Sequence, residues 1–298
     1  LSRLYERGQN AKSLSEVYAA QSALATDPES RRALLVKAGE AHAAAGDDAK
    51  AIDTWRSALA LRKAEDGLLA LDKLFAKTRR PLEQADVLDQ LAELAKDLES
   101  RRGFILRRAQ LLEKEGSHAE ALSAYRALMG LAPGDPQAVA GLERMLQLDA
   151  QRVEAARLLE PVHRGLNDTR KLVEVLEILL PGTQPALKLE RIQEIATLRE
   201  ALGQTSLAFA ARLRAFNEAP QAEGVRDDLE RLAADSGSFE EVAGAYEDQL
   251  DRGAIDPLAG DLWRRLAAIY DGRLKRYDLA VRALEEVSRR DPKNKQVL

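Results

Sequence analysis

The stretch GDDAKAIDTWRSAL at residues 46–59 returns, little changed in character, as GSHAEALSAYRALMGLAP at residues 116–133. In each copy a small residue stands four places before an aromatic: Ala51 before Trp55, and Ala121 before Tyr125. Residues four and seven apart share one face of an α-helix. Ala51, Trp55 and Ala58 therefore make one apolar stripe, and Ala121, Tyr125 and Leu128 make another.

Taking the small residue as an anchor, further copies follow. Val242, Tyr246 and Gln249 give one, and Ala280, Leu284 and Val287 another. Weaker copies centre on Leu14 with Tyr18, Ala85 with Asp89, Ala155 with Leu159, Leu172 with Leu176, and Ala208 with Arg212. Successive anchors are 37, 34, 36, 34, 17, 36, 34 and 38 residues apart. A period near 34 marks a repeat array, in which each unit buries its apolar face only against its neighbours.

A second amphipathic segment precedes each anchor after a short turn, as in LLVKAGEAHAAAGD (34–47), ILRRAQLLEKEGS (105–117) and LWRRLAAIYDGRL (262–274). The turns carry helix-start chemistry. Ser13 to Glu16, Ser117 to Glu120 and Ser238 to Glu241 each match a capping box. Asp135-Pro136 and Asp256-Pro257 set an acid before a proline at a first helical turn. The pattern predicts about sixteen helices in antiparallel pairs and no strand.

The chain resembles the tetratricopeptide repeat family. Leu35, Gly39, Gly46, Ala51, Trp55 and Ala58 carry the resemblance in the clearest copy, and Ala109, Leu112, Gly116, Ala121, Tyr125 and Pro133 in the next. It extends over essentially the whole chain and weakens at 64–98 and 136–165. The resemblance implies an all-α, right-handed superhelical solenoid. At Asp72–Lys73 charged residues stand where that family usually has Leu-Gly, which predicts looser or shifted packing. The anchor must be small because the first helix of its own pair crosses close by, and a larger residue would overpack the crossing. The bulky residue four later fills the gap between pairs.

The 17-residue step from Ala155 to Leu172 adds one helix, not a pair. Residues 154–180 read as helix, turn, helix, and a normal pair resumes at 185. A single array over 1–298 with a kink or subdomain boundary at 150–184 is expected. Residue 1 is Leu, and the closing DPKNKQVL reads as the start of another unit, so the expectation is an excerpt of a longer protein.

Composition excludes several classes of chemistry. With no cysteine there is no disulfide, thiolate metal site or thiol nucleophile. His42, His118 and His163 fall in three separate units, which speaks against a shared metal site. Adjacent carboxylates such as Asp47–Asp48 and Glu240–Glu241 point about 100° apart on a helix and do not face each other as an acid/base pair. No phosphate-binding loop, dinucleotide fingerprint, nucleophile elbow or HExxH helix occurs. No cofactor and no catalytic activity are expected. Arginine pairs recur, from Arg31–Arg32 to Arg289–Arg290, yet 45 basic residues meet 49 acidic ones in close interleaving. Nucleic-acid binding wants basic charge gathered on one face, so it is not expected. No apolar run reaches the 18 residues of a membrane span. Arginine outnumbers lysine 32 to 13, as in GC-rich bacterial genes. The default compartment is the cytoplasm.

Trp55, Tyr125 and Tyr246 share one repeat position and read as packing residues, as do Trp263 and Tyr270, seven apart on one helix. What is left for function is the groove. By the resemblance, one face of each first helix lines it and holds a segment of a partner protein. That selects Lys37, Glu40, Arg107, Gln110, Glu113 and Lys114 in the first half, a mixed set. In the second half it selects Glu190, Gln193, Glu194, Glu200, Asp227, Asp228 and Arg231, a largely acidic set that suits a basic or amide-rich partner segment. The expected function is a non-catalytic interaction scaffold. The alternative is a structural or self-assembling component of a larger multiprotein machine.

Overall fold

The computed structural model describes residues 10–290. They form sixteen α-helices, and no strand occurs among the described residues. In chain order these are α1 (Ala11–Leu24), α2 (Pro28–Ala44), α3 (Asp48–Leu61), α4 (Glu65–Lys77), α5 (Pro81–Leu94) and α6 (Leu98–Lys114). Then come α7 (His118–Leu131), α8 (Pro136–Met145), α9 (Asp149–Gly165), α10 (Thr169–Leu179) and α11 (Pro185–Ala201). The last are α12 (Thr205–Glu218), α13 (Val225–Ser236), α14 (Phe239–Asp251), α15 (Leu258–Ile269) and α16 (Tyr277–Arg290). Neighbouring helices pack in sequence: α2 lies against α1 and α3, α6 against α5 and α7, and α12 against α11 and α13. The helices gather into two compact units, residues up to 159 and residues from 160 on.

Every anchor from Ala51 to Ala280 is buried, none more than 5% exposed. Leu14 is the exception. It is only half-buried, and the buried face of α1 runs through Ser15, Tyr18 and Ser22 instead. The half-step holds the expected odd helix: α9 ends at Gly165, α10 runs from Thr169 to Leu179, and a 3-10 turn at Leu180–Gly182 precedes α11.

Aromatics plug the gaps because glycines make room for them. A Cβ on Gly39 of α2 would lie 2.8 Å from Trp55 Nε1, and one on Gly141 of α8 would lie 2.3 Å from Tyr125 Cζ. Tyr125 thus reaches from α7 into the next helix along, while its hydroxyl donates to Glu113 Oε2 of α6 at 2.6 Å. Tyr246 repeats the hydroxyl bond in the second unit, donating to Glu230 at 2.8 Å, with its ring against Phe216. Trp263 does not follow Tyr270 into the core and stays half-buried.

Two polar residues at the plug position keep the same geometry through charge. Asp89 pairs with Arg108 of the following first helix at 2.9 Å. Arg212 is 8% exposed and bridges Glu200 on its own first helix and Asp228 on the next, at 3.0 and 3.2 Å.

Asp72 does not loosen its helix. It is buried and accepts hydrogen bonds from Gln84 at 2.8 Å and from Arg107 at 2.7 Å, so its charge is met on two sides. Leu68, Leu71, Leu74 and Phe75 close the core around it.

The helix starts differ from the serine boxes. Ser13 lies inside α1, whose cap is Asn10, accepting from Ser13 N at 3.1 Å. Ser117 and Ser238 stand at N-cap positions, but their side chains accept no backbone cap bond. Aspartates do that work elsewhere: Asp27, Asp47, Asp97, Asp135 and Asp168 each accept from backbone N–H groups of the first turn. At α15 the N-cap is Pro257 itself, and Asp256 just before it accepts from Gly260 N at 2.9 Å.

Candidate functional site

In the first unit a cavity of about 590 Å³ opens between α2 and α4. The indole of Trp55, on α3, forms its floor. Val36 and Ala43 line one wall, and Leu69, Ala70 and Leu74 the other. The sequence builds this space locally. Val36, Glu40 and Ala43 stand four and three apart on α2, so they share a face. Leu69, Ala70 and Lys73 do the same on α4. Small alanines keep both walls low, and the missing side chain of Gly39 lets the indole slide beneath α2.

Charge rings the apolar floor. Glu40, Asp48, Asp66, Lys73 and Lys77 all reach it. Lys77 donates to Asp48 at 2.7 Å, and Arg32 holds Asp66 with hydrogen bonds of 2.5 and 2.7 Å. Glu40 and Lys73 are exposed and have no ion-pair or hydrogen-bond partner among the described residues.

Of the first-half candidates, Glu40 alone lines this cavity. Lys37 is exposed, with Nζ 5.7 Å from the centre of the Tyr18 ring. Lys114 is exposed to solvent. Arg107 binds Asp72, and Gln110 Nε2 donates to Gln137 Oε1 at 3.4 Å. Glu113 accepts from Arg144 Nε at 2.6 Å as well as from Tyr125. The hydrogen bonds from Arg144 outweigh burial and hold its carboxyl below the usual range, with Tyr125 adding to the effect.

The second-half acids are largely occupied inside the chain. Glu194 pairs with Arg164, Asp227 with Arg265 at 2.7 Å, and Asp228 with Arg212 at 3.2 Å. Glu200 binds Arg212 at 3.0 Å and Arg231 at 2.8 Å. Burial pushes the Glu200 carboxyl up, but those two guanidinium groups prevail and its pKa is lowered overall. Gln193 is half-buried, which leaves Glu190 as the exposed acid of the set without an ion-pair partner among the described residues.

These pairs follow a rule. Arg32–Asp66, Asp72–Arg107, Glu113–Arg144, Glu200–Arg231, Asp227–Arg265 and Glu240–Arg276 join residues 34, 35, 31, 31, 38 and 36 apart. That is one repeat, so each links a place in one helix pair to the corresponding place in the next: the first five pairs join first helices, and Glu240–Arg276 joins the starts of the second helices α14 and α16. Sequence reading set basic residues only against acids close by in the chain and missed this ladder; comparing each acid with the residue one period away would have found it. It also assigned Trp55 to packing alone and Lys73 to a disturbed helix crossing, whereas both line the cavity.

No three or more His, Asp or Glu side chains come together as a metal-holding group among the described residues. His42 and His163 are buried on separate helices. No helix among the described residues is long and apolar enough to cross a membrane.

No protein-family model and no curated protein matches the chain. Among solved structures, it is similar to a tetratricopeptide repeat protein from Parabacteroides merdae, at 15% identity over 88% of this chain and 94% of that one, with a TM-score of 0.34. The TPR domain of P58(IPK) aligns at 15% identity over 89% and 85%, with a TM-score of 0.27. The apo form of the quorum sensor NprR from B. thuringiensis aligns at 13% identity over 96% and 84%, with a TM-score of 0.31. At these scores the likenesses carry no argument of their own. The helix-pair repeat rests on the anchors, plugs and turns described above.

Proposed function

We propose that the chain is a non-catalytic scaffold that holds a segment of another protein along its first helices. The observation that carries this reading is the cavity over Trp55, an apolar floor within a charged rim that is large enough for one bulky side chain. Concave, mostly apolar sites with a few polar groups at the edge are the usual form of a binding pocket. Burying one Leu or Phe there is worth about 1.5–3 kcal/mol. A micromolar complex needs about 8 kcal/mol, so the remainder comes from contacts along neighbouring first helices.

Filling the cavity tests the reading. Peptides selected from a displayed random library against the folded chain are expected to lose at least about 10-fold in affinity for an Ala70→Trp variant of unchanged helicity, since one anchor side chain is lost. Peptides that bind the variant and the parent equally would place the site elsewhere.

A further inference from the structure

The reading of the cavity as a segment-binding site can be carried to the chemistry of the segment, and this inference rests on that reading. Three of the five charged residues at the rim are already satisfied: Asp48 by Lys77, and Asp66 by Arg32. The two that remain, Glu40 and Lys73, have opposite sign and stand on opposite walls, one on α2 and one on α4. Each lies at mid-wall. Glu40 sits between Val36 and Ala43, and Lys73 lies three and four residues beyond Ala70 and Leu69. An apolar side chain seated over Trp55 therefore has an unmet negative charge to one side and an unmet positive charge to the other.

We infer that the partner segment seats an apolar side chain over Trp55 between one basic and one acidic side chain, the basic one meeting Glu40 and the acidic one meeting Lys73. The order of the two charges along the segment sets the direction in which it lies across α2 and α4.

Charge exchange tests this directly. Glu40 and Lys73 are exposed and unpaired, so their reversal leaves the fold intact, which circular dichroism checks. Peptides from a random 12-residue displayed library are selected against the parent and, separately, against the Glu40→Lys, Lys73→Glu double variant. Parent-selected peptides are expected to share an apolar residue with opposite charges on its two sides, and double-variant peptides the same frame with the two signs exchanged. By fluorescence polarisation, each single reversal is expected to cost a parent-selected peptide roughly 10-fold, recovered when the matching peptide residue is reversed.

Peptides that need the cavity, losing affinity for Ala70→Trp, yet ignore both reversals would overturn this inference and leave the groove reading standing. Peptides indifferent to Ala70→Trp would overturn both. A second copy of this chain as the best occupant, seen as a dimer that Ala70→Trp abolishes, would also overturn it.

Discussion

Arg107 donates to the buried carboxylate of Asp72 at 2.7 Å across 35 residues of sequence, joining α6 to α4 one repeat earlier. The contact turns a charged residue inside the core into a tie between units. Removing the guanidinium strands Asp72 with Gln84 alone. Arg107→Met is therefore expected to cost about 1–3 kcal/mol, the penalty for a buried charge that loses a main partner, with the half-exposed arginine keeping it at the low end. In urea unfolding, the Asp72→Leu, Arg107→Met double variant should recover most of that loss, and a single variant as stable as the parent would show the tie to be idle.

Gly141 is the tightest glycine of the array. A methyl group there meets the ring of Tyr125 at 2.3 Å, and the ring is fixed at both ends, by packing and by its bond to Glu113. Gly141→Ala gains helix propensity of about 1 kcal/mol but forces the ring to move, at about 1–3 kcal/mol for overpacking. A net loss of stability is expected, and Tyr125→Leu in the same background should relieve it. A thermal midpoint at or above that of the parent for Gly141→Ala alone contradicts the crossing described.

The turn between α4 and α5 holds Arg79 at φ +54°, where the equivalent turns carry Gly46 at +81° and Gly116 at +78°. The left-handed region costs a side chain about 1–2 kcal/mol, and glycine gives part of that back as backbone entropy in the unfolded chain. Arg79→Gly is accordingly expected to stabilise the protein by a few tenths to about 1 kcal/mol in chemical denaturation. A loss would mean that Arg79 makes contacts worth more than its strain.

Burial of His42 lowers its pKa below the ordinary 6.5, and nearby Asp47 offsets this only in part. The folded protein thus binds a proton at His42 less readily than the unfolded chain does. Stability is full above the unfolded pKa and falls as the pH drops from about 6.5 through the folded value. Denaturation at pH 7.5 and 5.5 should show this decline in the parent, reduced in His42→Gln. An unchanged slope in the variant assigns the decline to other groups.

The helices and their pairing were legible because Ala51, Trp55 and their equivalents encode a local period: residues four and seven apart must share a face whatever lies around them. The helix caps were half legible, since aspartate and serine compete for one position and only geometry tells which side chain bends back to the amides. Asp72 was misjudged because a buried acid looks like a defect until its partner is known, and the partner is a whole repeat away. The same distance hid the engagement of Glu194, Glu200 and Asp227, and a half-repeat step hid that of Asp228 with Arg212, so the four look like an open acidic surface when each helix is read alone. The cavity was out of reach for a related reason: Ala43, Ala70 and Gly39 contribute by what they lack, and only the approach of α2 to α4 turns that lack into space.

The indole at the floor of the cavity is one of only two in the chain, Trp55 and Trp263. Replacing Trp263 with phenylalanine would leave a single emitter, positioned where an arriving side chain displaces water. Its emission wavelength and its quenching by iodide then become an intrinsic, label-free record of whether the furrow between α2 and α4 is wet or filled.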